Sequence, residues 1–458
     1  MIGSPEAPGV LTERLALVAG VYRAIARDGR LRLVIGSRFE DFGPAEPWKS
    51  ELLKRLVTGA ADAADGREAE LVGRLREGGW LTTEVLRDGV PLYAVQPTGR
   101  PEAVPNVQSR AEPGGKAVLS RFAVVHREDG HLVVESPLSW GRVHLHDPAL
   151  FGVVGGVGAG GPAARRLERD LLRTGLAVTG DEDEDEARLR QWSVHELWFH
   201  RRSRLGDRDR LGGGYGRTRW ADGVYEEPPF RREPYPGEPI PLYRPDLAEL
   251  RHGDPTLSAV VEDRRSVRVH DDAAPITLEE LGEFLYRCAR IRTVSSENGG
   301  HLTGRPYPSG GSAYELELYP VVRLASGLDA GAYHYDGHDH VLRRVREPGA
   351  ETARLLATAR QGTLVRAAPQ VLIVVTARFG RLMRAYEQMP YSLILKHVGV
   401  LYQTMYLVAT AMGLAPCGLG GGDSRTFNAV TGTGFTEEGA VGEFMLGSRP
   451  ASTHTEKP

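Results

Sequence analysis

The chain is 458 residues long, 41% hydrophobic and 26% charged, and its 57 basic and 60 acidic side chains give a formal net charge of -3. That composition has ample apolar material for packed cores and excludes a disordered chain, a collagen and a disulfide-rich miniprotein. The near balance of charge excludes the basic body of a dedicated nucleic-acid binder.

At roughly 100–200 residues per domain the length suggests two to four domains. The N-terminus has no basic start and no apolar core, so no signal peptide is expected. Residues 1–110 read as a first module. Leu31–Ile35 is a short strand, Glu51–Val57 and Glu68–Arg76 have helical apolar spacing, and Leu81–Leu86 pairs with Pro91–Val95 across Arg87-Asp88-Gly89. Helix, helix, hairpin is the order of a winged helix. Residues 111–200 read as a second winged-helix-like module. Val118–Val125 and Leu132–Glu135 flank Asp129-Gly130, Arg142–Leu145 follows, and helices are expected near Ala149–Val154 and Pro162–Arg173. Residues 201–245, with Gly212-Gly213-Gly214 and a proline-rich run, read as an extended linker.

Residues 246–458 alternate helix and strand patterns. Leu278–Cys288 is helical, Glu315–Arg323 is a strand, and Ala332–Tyr335 with Val341–Arg344 form a hairpin. Gln370–Thr376 is a strand apolar on both faces, and Ala440–Leu446 is a last strand. The most apolar long stretch, Tyr391–Leu414, carries Lys396, His397 and Gln403 and reads as a core helix rather than a membrane span. The fold class expected is α+β. Cys288 and Cys417 are the only cysteines and lie far apart, so no disulfide framework or zinc ligand set is expected, and a cytoplasmic protein fits.

Several motifs are decoys. Gly156-Val157-Gly158-Ala159-Gly160-Gly161 satisfies a dinucleotide pattern, but the segment before it contains Pro148 and reads as helix, so a loop is expected. The acidic run Asp181–Glu186 reads as a solvated loop. His195 and His200 are five apart rather than the four that puts two rings on one helix face, and His334, His338 and His340 flank a turn. No metal site is expected.

Three segments of the last region can work together. Arg264-Arg265-Ser266-Val267-Arg268 offers guanidinium groups and a hydroxyl that can fork around a phosphate. Arg305-Pro306-Tyr307-Pro308-Ser309-Gly310-Gly311-Ser312 has small residues that let a planar ligand approach the backbone. Cys417-Gly418-Leu419-Gly420-Gly421-Gly422-Asp423 can aim N–H groups at a ring atom that gains charge on reduction.

With Gly399-Val400-Leu401-Tyr402-Gln403 and Ala409–Leu414 between them, these segments resemble the nitroreductase fold, and specifically the SagB-type dehydrogenases of thiazole/oxazole-modified peptide pathways. The resemblance covers roughly the last 215 residues, and Phe199–Gly206 is similar to the joint ahead of that domain in longer members. It implies FMN at a homodimer interface and oxidation of azoline rings in a precursor peptide to azoles, with O2 as acceptor and a cyclodehydratase as partner. By position it implies that Arg264, Arg265, Ser266, Arg268 and Arg449 meet the phosphate or ring edge. Pro308, Ser309, Gly310, Gly311 and Gln403 would line the isoalloxazine, and Gly420 and Gly421 would lie near its reactive nitrogen.

The family's adjacent Lys and Tyr correspond to Ala385 and Tyr386, so the Lys is absent. Aromatising an azoline removes a carbon-bound proton as hydride leaves, which calls for a base. Tyr386, assisted by Arg384, Lys396 and His397 are the candidates. Residues 1–110 hold 15 Arg plus Lys against 15 Asp plus Glu, which argues against DNA. Peptide capture by strand addition and plain structural support both remain open for the N-terminal half. A general nitro or quinone reductase and a non-catalytic scaffold are the competing functions.

Overall fold

The computed structural model describes residues 10–36, 38–59, 66–101, 117–156, 160–179, 187–204, 216–297, 300–363 and 367–451. The chain divides into two compact units, Met1–Gly214 and Tyr215–Pro458. The acidic run 181–186, the triple glycine 212–214 and the middle of the Gly156–Gly161 motif lie outside the described residues.

The first unit begins with strands β1 (Leu11–Leu17), β2 (Tyr22–Ile25), β3 (Arg30–Ile35) and β4 (Arg38–Pro44) and helices α1 (Pro47–Val57) and α2 (Gly66–Glu77). Then come β5 (Leu81–Arg87), β6 (Val90–Pro97), β7 (Val118–Leu119), β8 (Val124–Glu128), β9 (His131–Glu135), β10 (Gly141–Leu145), α3 (Phe151–Val154), α4 (Pro162–Thr174), β11 (Ala177–Val178), α5 (Ala187–Arg190) and α6 (Val194–Arg202). β2, β3 and β4 form a small antiparallel sheet. Its inward residues Leu31, Leu33 and Ile35 alternate along β3 and pack on Leu52, Leu53 and Leu56 of α1 and Leu71 and Leu75 of α2. Helices α2 and α4 close alike. Gly79 (φ +67°) and Gly175 (φ +78°) take the left-handed turn, after which Trp80 N–H reaches Leu75 O and Leu176 N–H reaches Leu171 O.

The expected helices and hairpins of this unit are present. The expected boundary at 110 is bridged, because β6 pairs with β10 inside one sheet of order β1-β5-β6-β10-β9-β8. A hairpin edge left open at β6 needs a partner for its backbone groups, and the next hairpin supplies it. Val118–Leu119 separates from the 124–135 hairpin and pairs with β11 instead.

The second unit runs β12 (Pro239–Pro241), α7 (Leu247–Gly253), α8 (Leu257–Asp263), α9 (Leu278–Ala289), β13 (Thr293–Glu297), β14 (Gly300–Gly304), β15 (Leu316–Val322), β16 (Gly331–Asp336) and β17 (Val341–Arg346). It continues with α10 (Ala350–Gln361), β18 (Val371–Arg378), α11 (Phe379–Ala385), α12 (Pro390–Ala411), β19 (Ala415–Leu419), α13 (Ser424–Thr431) and β20 (Glu438–Gly447). An antiparallel seven-stranded sheet of order β12-β17-β16-β15-β18-β20-β19 forms its middle layer. α12 presents Ile394, Val398, Leu401, Met405 and Ala409 at helical spacing, and with α9 covers one face through Phe284, Phe444 and Leu446. α10 and α13 cover the other through Leu355, Ala359, Phe427 and Val430 against Val374 and Met445. Burial on both faces explains why 370–376 reads as a continuous apolar run.

The last part of the expected 201–245 linker enters this sheet, since Ile240 of β12 pairs with Leu342. The glycine turn expected over 417–423 begins later, because Ala415–Leu419 is an edge strand on β20.

Candidate functional site

The arginine segment follows α8. Arg264 is the C-terminal cap of that helix, and Val267 N–H clips to Pro416 O of β19 at 2.8 Å. One phenol then joins the arginine and glycine segments. Gly418 N–H donates to Tyr406 Oη at 2.7 Å, and the same phenol shares a hydrogen bond with Ser266 Oγ at 2.9 Å. The Ser266 hydroxyl is therefore engaged inside the protein. Arg264 lies over the Tyr406 ring, 5.3 Å from its centre. Burial pushes the Cys417 thiol pKa up, and the charge of Arg268 draws it partly back.

Arg265 and Arg449 line one cleft of about 260 Å³ with Pro255, Val260, Asp263 and Thr410. Among the described residues no carboxylate lies within ion-pair distance of Arg264, Arg265, Arg268 or Arg449. Asp263 is the opposing charge on the cleft wall.

The 308–315 loop is built on a buried carboxylate. Glu315 is fully buried, and its Oε1 lies 2.7 Å from His397 Nδ1. His397 Nε2 accepts from Gly310 N–H at 2.9 Å. With Nε2 an acceptor, the ring proton sits on Nδ1 and points at Glu315. Ser309 Oγ bridges Glu315 Oε2 (3.3 Å) and Tyr314 N–H (3.1 Å). The loop holds three positive φ angles, at Gly311 (+59°), Ser312 (+52°) and Tyr314 (+43°). Non-glycine residues in that region cost about 1–3 kcal/mol each, so the surrounding contacts must enforce the shape.

Tyr386 arrives from the other side. Gly216 O accepts from Glu387 N–H (2.8 Å) and Thr218 N–H donates to Arg384 O (3.1 Å), so the chain is held on both flanks of Tyr386. A first side-chain carbon at Gly310 would lie 3.3 Å from Tyr386 Oη and 3.4 Å from His397 Nε2, and one at Gly311 3.1 Å from Tyr386 Oη. The two glycines thus admit the phenol. Arg384 turns away to Asp222 (3.3 Å) and the Tyr225 carbonyl (3.4 Å).

Gly420 and Gly421 are exposed, with open space where a side chain would start. The next glycine differs, because a first carbon at Gly422 would overlap the Glu443 carboxylate. Glu443 is 6% exposed. Burial, with Asp423 adding repulsion, raises its pKa to about 7.

The structure therefore brings Ser309, Gly310, Gly311, Tyr386 and His397 together, joins Ser266 to Gly418 through Tyr406, and sets Arg265 with Arg449. It leaves Lys396 exposed, one residue and about 100° round α12 from His397. Gln403 is also on the exposed face of α12. His397 is the base candidate whose lone pair is already engaged. Sequence reading missed Glu315, Tyr406 and Glu443. A visible signal existed for the two acids, each a carboxylate within or bordering an apolar strand run. Among the described residues no group of three His, Cys, Asp or Glu could hold a metal ion, and no helix is long and apolar enough to cross a membrane.

Residues 261–447 match the model of the nitroreductase family. The C-terminal region carries a nitroreductase-family domain. Residues 117–169, in the first unit, match the model of the cyanobactin oxidase ThcOx. A protein from Methanocaldococcus jannaschii named as a nitroreductase is 29% identical over 184 residues, which is 40% of this chain and 85% of that protein. A crystal structure described as a nitroreductase from Anabaena variabilis is 22% identical with a TM-score of 0.39, over 54% of this chain and 45% of that one. The E. coli microcin synthetase McbBCD complex with truncated pro-MccB17 bound contains a chain 18% identical with a TM-score of 0.35, over 54% of this chain and 92% of that one.

The nitroreductase-family domain has a donor set suited to FMN. Arg265 and Arg449 line a cleft with Asp263, and among the described residues neither arginine is within ion-pair distance of a carboxylate, which leaves both available to a phosphate. Gly420 and Gly421 leave open space where a side chain would start, as a flat ring requires, while Gly310 and Gly311 face Tyr386 and His397.

Proposed function

We propose that this chain is an FMN-dependent dehydrogenase that oxidises thiazolines or oxazolines in a ribosomally made peptide to azoles, passing the electrons to O2. The observation that carries the reading is the meeting of the Tyr386 phenol with the Gly310-Gly311 backbone inside a nitroreductase-family domain. The match of residues 117–169 to the cyanobactin oxidase model supports a peptide substrate. FMN, when bound, supplies the two-electron acceptor.

The protein's own residues do the rest. Arg265 and Arg449 hold the phosphate, with Arg264 and Arg268 adding positive field. Pro308, Ser309, Gly310 and Gly311 form the wall of the ring site. The Glu315–His397 pair fixes that wall by holding Gly310 N–H. Tyr386, once its phenol has given up its own proton to solvent, accepts the carbon-bound proton as the phenolate, directly or through water, as hydride leaves the azoline. Lys396 and His397 fit that role less well, one facing solvent and the other already accepting a hydrogen bond.

Homodimerisation is supported by α12, whose Tyr391, Leu395 and Val400 are 42%, 37% and 38% exposed. The N-terminal unit is proposed to contain winged-helix-like modules that take the leader segment of the precursor. β2 supports this as an edge strand whose outer side pairs with no other strand among the described residues. A cytoplasmic enzyme working after a cyclodehydratase completes the reading.

The test is incubation of the purified chain with an azoline peptide in air, followed by mass spectrometry. Loss of two hydrogen atoms per ring without nicotinamide is expected. Turnover of quinones or nitro compounds, only with reduced nicotinamide, and no ring oxidation would replace this reading with a general reductase. Tyr386→Phe should slow ring oxidation about 100-fold or more while FMN stays bound. An unchanged rate would move the base elsewhere.

A further inference from the structure

Glu443 is a buried acid that the proposed dehydrogenation leaves without a role. It stands on β20 opposite Leu419 of β19 and Val374 of β18. A side chain at the preceding position, Gly442, would meet Val398 and Tyr402 of α12, and Phe444 packs in the same layer. By strand alternation Glu443 points to the opposite face, where the 420–423 loop crosses, and Gly422 is packed directly on its carboxylate.

The surrounding charges do not suit a carboxylate. Asp423 is the nearest, and its own oxygens are committed to Thr426 and to Arg354 at 3.1 Å. The Tyr402 hydroxyl donates to the Glu443 backbone carbonyl at 2.8 Å, not to its side chain. Cys417 lies close to Tyr402 and is a buried thiol. Among the described residues no hydrogen bond or cation reaches the Glu443 side chain. An ionised carboxylate so placed has lost water without gaining a partner.

We propose that Glu443 is the proton reservoir of the glycine loop, becoming a neutral carboxylic acid when two electrons arrive against Gly420 and Gly421 and releasing that proton when they leave. The proposal rests on the flavin dehydrogenase reading above. A C–H bond of the azoline breaks and its electron pair leaves as hydride, which carries one proton and two electrons to the flavin and leaves one net negative charge there. One proton from solvent, bound to Glu443, offsets that charge. When O2 takes the two electrons, it also takes the hydride's proton and the Glu443 proton, and hydrogen peroxide forms. Glu443 acts from behind Gly422 and touches no substrate, so it is a positioning residue. Its pKa, already raised to about 7, is the starting point from which a further nearby negative charge drives protonation.

The experiment counts protons taken up per two electrons during anaerobic reduction of the flavin-loaded full chain, between about pH 8 and pH 9, where Glu443 starts ionised. Close to two protons are expected for the natural chain and one for Glu443→Gln. One proton for the natural chain, or the same count for both, overturns the proposal. Because Glu443→Gln could fail to fold, reduced-minus-oxidised infrared spectra of the natural chain give a second readout. Reduction should add the carbonyl stretch of a protonated carboxylic acid, and its absence also overturns the proposal. A chain that oxidises azolines yet takes up one proton keeps the functional reading and loses this proposal, whereas a chain that holds no flavin loses both.

Discussion

Strands β15 and β20 of the C-terminal unit each carry a glutamate inside an apolar run, and the fold surrounds them differently. Glu317 on β15 has His334 Nε2 at 3.3 Å and Arg378 at 3.6 Å, with Arg305 close by. Burial alone would raise its pKa; the histidine hydrogen bond and the arginine charges outweigh it and hold the group at about 2. Glu443 on β20 has comparable burial and, among the described residues, no such partners, and its pKa rises from the ordinary 4.5 to about 7. The difference teaches that burial pushes both carboxylates toward the neutral form, and that only the one with partners is held ionised. A matched acid is part of the frame, and an unmatched acid beside a candidate ring site is available to bind and release protons.

The largest expected effect comes from breaking the matched side. Glu317→Ala strands the buried His334 and removes the carboxylate paired with Arg378, and should cost about 3–5 kcal/mol in chemical unfolding of the full chain. A loss under about 1 kcal/mol would mean that β15 does not depend on the pair.

The next contrast is in pH. The depressed pKa of Glu317 gives stability that is present above 4.5 and is lost as pH falls toward about 2. The raised pKa of Glu443 has the opposite sign. The folded state binds more protons than the unfolded chain between 4.5 and about 7, so stability falls as pH rises through that window. The whole excursion is worth about 3 kcal/mol. Glu443→Gln should remove that fall, and its stability relative to the natural chain should be greater on the alkaline side. A parallel pH profile for the two chains would place the charge elsewhere.

The smallest effect concerns the loop itself. Gly422→Ala pushes a methyl group into the Glu443 carboxylate and should destabilise by about 1–3 kcal/mol. Combining it with Glu443→Ala should recover much of that loss, a coupling that independent sites would not show.

Much of both units was legible in the sequence. The apolar run 370–376 and the helix α12 declare themselves by local pattern, and the Asp-Gly pairs at 129–130 and 336–337 mark hairpins. Pairing between distant segments was not legible. No local signal tells β6 to join β10, nor Val118–Leu119 to leave its neighbours for β11. The site divides in the same way. The loop at 308–311, Tyr386 and His397 could be named from motif positions. The role of His397 could not, because it depends on Glu315, a residue 82 positions away. Tyr406 was hidden in a helix of similar apolar residues, and only the approach of Gly418 and Ser266 shows its task.

The most direct test of the central claim is the cofactor. Purified full-length chain should be denatured and the released small molecules weighed and quantified by mass spectrometry. About one FMN per chain, before or after reconstitution, is the predicted result, with loss of occupancy in the Arg265→Ala, Arg449→Ala double variant. A colourless chain that takes up no FMN would contradict the redox reading and leave the N-terminal unit as the place to look for function.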